Sequence, residues 1–168
     1  MSTLTRTLVR GPHTHSSLLS SICATDDSGT QTLLRITLAL VLLPHGGQHL
    51  LGAFGGYGFA ATVAWMSGPL GIPAPLAATA ILLEFIGPLL LLAGVGSRLV
   101  GLALAIFMTT AGSTHIANGF FMNWLGNLPA GVEGFEYHIL AVTIAITIAV
   151  NGGGAYSIDR VLDRARRR

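Results

Sequence analysis

Charge is what this chain has least of. Only 10% of its 168 residues are charged and 51% are hydrophobic, with a mean hydropathy of +0.67. Soluble domains carry about 25% charged residues, so these side chains cannot cover a water-exposed surface. A soluble helical bundle would show polar positions at a 3.6-residue period, and Leu99 to Met108 shows none. Cysteine is almost missing as well. With Cys23 alone there is no Cys-x-x-Cys pair and no intrachain disulfide, which excludes thiol-disulfide chemistry by this chain on its own. No flavin, haem or iron-sulfur motif is present, nor any repeat of fixed period. The net charge of +2 is too small to argue for nucleic acid as a partner.

Long apolar runs fill the space. A bilayer core of ~30 Å needs about 20 predominantly apolar residues, and four segments qualify, at about 33–51, 76–93, 99–117 and 137–155. The expectation is an all-α, integral membrane bundle of four transmembrane helices spanning residues 32–156. A polar, disordered or interfacial tail over residues 1–31 precedes it, and a basic cytoplasmic tail over 157–168 follows. The N-terminal stretch has too thin an apolar centre for a secretory signal. His13 and His15 are read as tail residues.

Orientation follows from the arginines. Arg6, Arg10 and Arg35 precede or enter the first helix, Arg98 lies in the turn between the second and third, and Arg160, Arg164, Arg166, Arg167 and Arg168 lie in the C-terminal tail. All lie on one side, which predicts both termini in the cytoplasm of a cell with a plasma (inner) membrane, and two long loops outside. The C-terminal arginines suit an anionic membrane surface.

Against this apolar background stand a few ionisable groups. Pro44-His45-Gly46-Gly47-Gln48-His49 interrupts the first run, and in a helix His45 and His49 share a face while Pro44 removes a backbone donor. At a rise of 1.5 Å per residue, His45 is ~15 Å and His49 ~21 Å from Arg35, while Glu84 is ~21 Å and His115 ~25 Å from Arg98. Glu136 and His138 open the fourth helix at the outer edge. Ionisable groups thus collect in the outer half of the bilayer, where they cost roughly 2.5 to 3.5 kcal/mol each and turn towards one another. His49 and Glu84 share a depth on adjacent helices and are expected to meet.

Each residue also has a structural reading. Glu84 could serve only as a hydrogen-bond partner, and Asn118-Gly119 only as a helix C-cap. Phe120, Phe121, Trp65 and Trp124 suit interface anchors. Arg35 and Arg98 are expected to snorkel to the headgroups, and the second and third helices to form a tight hairpin packed through Gly94, Gly101 and Ala105.

His45-Gly46, Glu84-Phe-Ile-Gly87, Arg98, His115 through Phe121 (His-x-x-Asn-Gly-Phe-Phe) and Gly134-Phe-Glu136 occur in this order. The pattern resembles the DoxX family of small four-helix membrane proteins over roughly Thr32 to Asp159. The chain departs from it at His49, where the family commonly has Lys, and at Pro88, where it has Gly. The resemblance implies a redox setting, since the family name comes from a thiosulfate:quinone oxidoreductase subunit and other members are described beside superoxide dismutase and a sulfurtransferase. Three functions stay open. In a quinone-linked subunit, His49, Glu84 and His115 would be the catalytic candidates, and His45, His49, Glu84, His115, Asn118 and Glu136 would line the quinone site, with electrons from a redox partner protein. In an anchor or assembly subunit, alone or as a homo-oligomer, the polar cluster would only join helices. In a metal or small-solute protein, His45, His49 and His115 would supply ligands, with Glu84 beside them.

Overall fold

A computed structural model describes residues 22–127, 129 and 132–166. His13, His15, Arg6, Arg10, Arg167 and Arg168 lie outside the described residues. The described chain is all-α, with helices α1 (Gly29–Leu51), α2 (Gly58–Ser67), α3 (Ala74–Ala93), α4 (Ser97–Thr114), α5 (Glu136–Asn151) and α6 (Ile158–Arg166). One-turn 3₁₀ segments follow α1 and α4. Among the described residues, helix α3 alone is long and apolar enough to cross a bilayer by itself. The α1 and α2 region passes as a pair bent by 93°, and α5 is apolar but 16 residues long.

Helix α1 packs most closely on α3, and α4 on α5, while contacts of α1 with α5 and α3 with α4 close the ring. Glycine decides the two tight pairings. A Cβ on Gly46 of α1 would lie 2.5 Å from the Glu84 carbonyl oxygen of α3, so backbone meets backbone there. A Cβ on Gly101 of α4 would lie 2.8 Å from both the Ala145 carbonyl oxygen and the Ala149 nitrogen of α5. This corrects the expected hairpin. Gly101 serves the contact with α5, and Gly94 is the left-handed cap of α3 facing Ser157 and the Arg35 guanidinium. Gly87 is the glycine of α3 that faces Val100 and Leu104.

Leu38, Leu42, Leu91, Leu104 and Ile148 form the centre of the core. The outer surface is just as apolar, with Leu33, Leu76, Ile106 and Leu140 all more than half exposed. Apolar inside and out, the bundle matches a lipid surround rather than water.

Three expectations at the end where the N- and C-terminal segments meet are changed. Residues 22–31 belong to the fold rather than to a tail: Ser28 caps α1 by accepting from the Gln31 amide, Thr25 Oγ1 accepts from the Gly154 amide, and Cys23 is buried. Arg35 does not snorkel; it is fully buried. Its guanidinium donates to the carbonyls of Leu91, Leu92, Gly153 and Tyr156, because the last carbonyls of α3 have no partner in their own helix and need donors. Arg98 likewise turns inward and donates to the Ala24 carbonyl at 2.7 Å. Helix α1 runs on through Pro44 to Leu51 and closes on the left-handed Gly52.

Candidate functional site

His49 and Glu84 meet. The α1 and α3 backbones approach at Gly46, one turn before His49, and this brings the His49 ring nitrogen Nδ1 within 2.5 Å of Glu84 Oε2. The Glu84 side chain is 8% exposed and that of His49 35%, so the carboxylate is the buried partner and the imidazole its connection outward. A buried carboxylate without such a donor would be driven towards its neutral form.

The other candidates divide into two groups. At the C-terminal end of α4, His115 Nδ1 and Asn118 Nδ2 both donate to the Glu133 carbonyl, at 2.8 and 3.0 Å. The chain then runs beside itself: Phe120 O accepts from the Glu136 amide, Gly119 O from Phe135 and Phe121 O from Gly134. Gly134 fits only because it lacks a Cβ, which would lie 2.5 Å from the Gly119 carbonyl oxygen. Glu136 Oε2 accepts from the Met122 amide. The His-x-x-Asn-Gly-Phe-Phe and Gly-Phe-Glu motifs are therefore two halves of one clip that fastens the loop between α4 and α5.

Between clip and ion pair lies an aromatic group. His45 stands 6.3 Å, centroid to centroid, from Tyr137, Tyr137 5.5 Å from His138, and His138 4.9 Å from His115. Glu84 is near enough to act electrostatically on Tyr137, as His45 and His115 are on His138. The Tyr137 hydroxyl and His138 Nδ1 are buried and accept or donate no hydrogen bond within the described protein. Gly112 makes room for the His138 ring, since a Cβ there would meet the His138 Cβ at 2.9 Å.

Tyr137 was not among the sequence candidates, and His138 was counted with the ionisable groups opening the last span but not assigned to the site. The available signal was a Tyr-His pair in the first turn of an otherwise apolar helix, directly after Glu136. Among the described residues, no three His, Cys, Asp or Glu side chains converge as metal ligands, so His45, His49 and His115 do not form a set. An open apolar groove of about 290 Å³ runs along α3 and α4 past Thr79, Leu83, Ile86 and Gly87. It does not reach the polar residues.

Residues 30–124, more than half of the chain, match the family model described as DoxX. The chain belongs to the DoxX family. DoxX proteins are membrane proteins, which accounts for the apolar exterior. The matched span ends just after the first half of the loop clip, so the DoxX motif at His115–Phe121 is paired with residues beyond the matched region. Comparison with curated proteins and with solved structures returned no match.

Proposed function

We propose that this DoxX protein is the membrane subunit of a quinone-linked redox system, in which the His49–Glu84 pair moves protons to and from a quinone in the outer half of the bilayer. Reducing a quinone to a quinol takes two electrons and two protons. The electrons come from a redox partner protein, because the sequence carries no motif for a redox centre. The protons enter through His49, whose ring can hold one near neutral pH, with Glu84 as the buried base that receives and returns it. His45, Tyr137 and His138 line the site, while His115, Asn118 and Glu136 hold the loop above it. In this reading residues 32–156 form a four-span domain in the plasma (inner) membrane with both termini cytoplasmic.

The observation that carries the proposal is the short His49–Glu84 contact beside a Tyr137 hydroxyl and a His138 nitrogen that are buried without partners. A pair serving only to join helices would need no such neighbours. The competing reading, an anchor subunit held together by its polar cluster, draws support from the same contact, because the two groups satisfy each other. A titration of purified protein with a short-chain quinol separates them. Saturable binding that is lost in a folded Glu84→Gln, His49→Gln double variant supports the redox subunit; a folded wild type that binds no quinol supports the anchor. Reporter fusions at Thr30 and in the C-terminal tail should read cytoplasmic, and one within Asn123 to Gly131 external.

A further inference from the structure

Helix α6 has its polarity reversed with respect to the protein. Its acids, Asp159 and Asp163, stand at i and i+4 and are both turned inward, 2% and 6% exposed. Asp159 accepts from the Gly96 and Ser97 amides at the start of α4, at 2.8 Å each, and its own amide donates to the Gly94 carbonyl. Asp163 pairs with Arg160, which also binds Asp27 and the Thr25 carbonyl. The apolar residues Ile158, Val161, Leu162 and Ala165 fall at i, i+3, i+4 and i+7 and face away from the protein, with Val161 66% exposed. Arg164 and Arg166 flank this stripe. A helix docked on a soluble core buries its apolar stripe; this one buries its carboxylates and shows the outside only hydrocarbon and positive charge.

We propose that α6 is an interfacial helix that binds an anionic lipid surface, with Ile158, Val161 and Leu162 at the acyl boundary and Arg164 and Arg166 on lipid phosphates. A helix with an apolar face and arginines beside it lies in the headgroup plane, and its binding strengthens with anionic lipid. A second copy of the chain fits poorly as the occupant. Pairing two α6 stripes would place arginines beside arginines, with the acids of both copies already committed inside. The dock is rigid, because the Asp159 carboxylate fixes α6 to the N-terminus of α4 and so sets which face points outward.

Full-length protein carrying Cys23→Ala and Val161→Cys, labelled with a nitroxide, is reconstituted into vesicles of phosphatidylcholine with or without phosphatidylglycerol. Collision with oxygen should exceed collision with a water-soluble nickel chelate in the anionic vesicles, and Arg164→Gln with Arg166→Gln should shift the balance severalfold towards the chelate. Chelate dominance in both compositions, equal burial in both, or spin-spin broadening from a second copy would each overturn the proposal. Hydrogen exchange of the unlabelled wild type provides the same decision without a substitution. Amides of residues 158–166 should exchange severalfold more slowly in anionic than in neutral vesicles, and equal rates would also overturn it.

Discussion

The His49–Glu84 pair can be tested by a double-mutant cycle whose size follows from its geometry. Breaking a fully buried ion pair by removing one partner costs about 3 to 5 kcal/mol, most of it the penalty of the charge left behind. Here the two sides are unequal. Glu84 is 8% exposed and His49 35%, so the figure must be discounted for the screened imidazole. His49→Gln strands the buried carboxylate and should cost about 2 to 3 kcal/mol. Glu84→Gln leaves an amide oxygen that still accepts from Nδ1 and an imidazole free to be neutral, and should cost about 1 to 2 kcal/mol.

The double variant has no ion to strand and should fall short of the sum by about 1 to 2 kcal/mol. Equilibrium unfolding of the purified protein in detergent, with quinone-free samples, measures all four corners. Two results would refute the reasoning. Additivity within about 0.5 kcal/mol would mean that the groups do not interact, and a larger cost for Glu84→Gln than for His49→Gln would mean that the imidazole, not the carboxylate, is the group that burial threatens.

Gly46→Ala and Gly101→Ala should each destabilise by about 1 to 3 kcal/mol through overpacking against α3 and α5, whereas Gly29→Ala, with open space at its Cβ, should be neutral in the same unfolding assay. Arg35→Met should cost at least about 2 kcal/mol, because buried carbonyls at the end of α3 lose their donors; an unchanged melting temperature would show that Arg35 is dispensable there. The Arg160 hydrogen bond holds the Asp27 carboxyl below its usual range. Its stabilising effect is therefore complete above the ordinary carboxylate range and disappears as the pH falls through and below it. Protection of the α6 amides, taken relative to the intrinsic exchange rate at each pH, should fall in acid, and Asp27→Asn should remove that loss; an identical acid response in the variant would assign it to another group. Added salt should weaken the same contact, since Asp27 is exposed.

Helix existence and the His49–Glu84 meeting were legible in the sequence because both rest on length. A rise of 1.5 Å per residue turns position into depth, and two ionisable groups at one depth have few other partners. Direction was less legible. Depth places Arg35 at the edge of its span but does not say whether its guanidinium turns out to headgroups or in to the carbonyls of α3, and the inward choice depends on where α3 and the 153–156 turn finish. The glycines show the same limit: small residues signal a close approach, yet only the three-dimensional pairing assigns Gly101 to α5 rather than α3.

The two ends of the bundle differ in a way that bears on where chemistry can occur. At the end where α6 docks, Arg35 is answered by backbone carbonyls and Asp159 by backbone amides. Such contacts are fixed by the fold and offer a proton nowhere to go, since neither carbonyl nor amide titrates near neutral pH. At the opposite end ionisable side chains face one another, His49 hydrogen-bonded to Glu84 and the His138 ring 4.9 Å from that of His115. A proton passing from His49 to Glu84 exchanges an ion pair for a neutral hydrogen-bonded pair, and a proton-exchanging site requires such a donor and acceptor in contact. Glu84 is where both demands meet, since its backbone carbonyl receives the close approach of Gly46 while its carboxylate holds His49. Substituting the glycine should then disturb the pair as well as the packing. In a folded Gly46→Ala protein the Glu84→Gln to His49→Gln coupling should shrink below that of the wild type, and an undiminished coupling would show that the ion pair forms independently of the Gly46 helix contact.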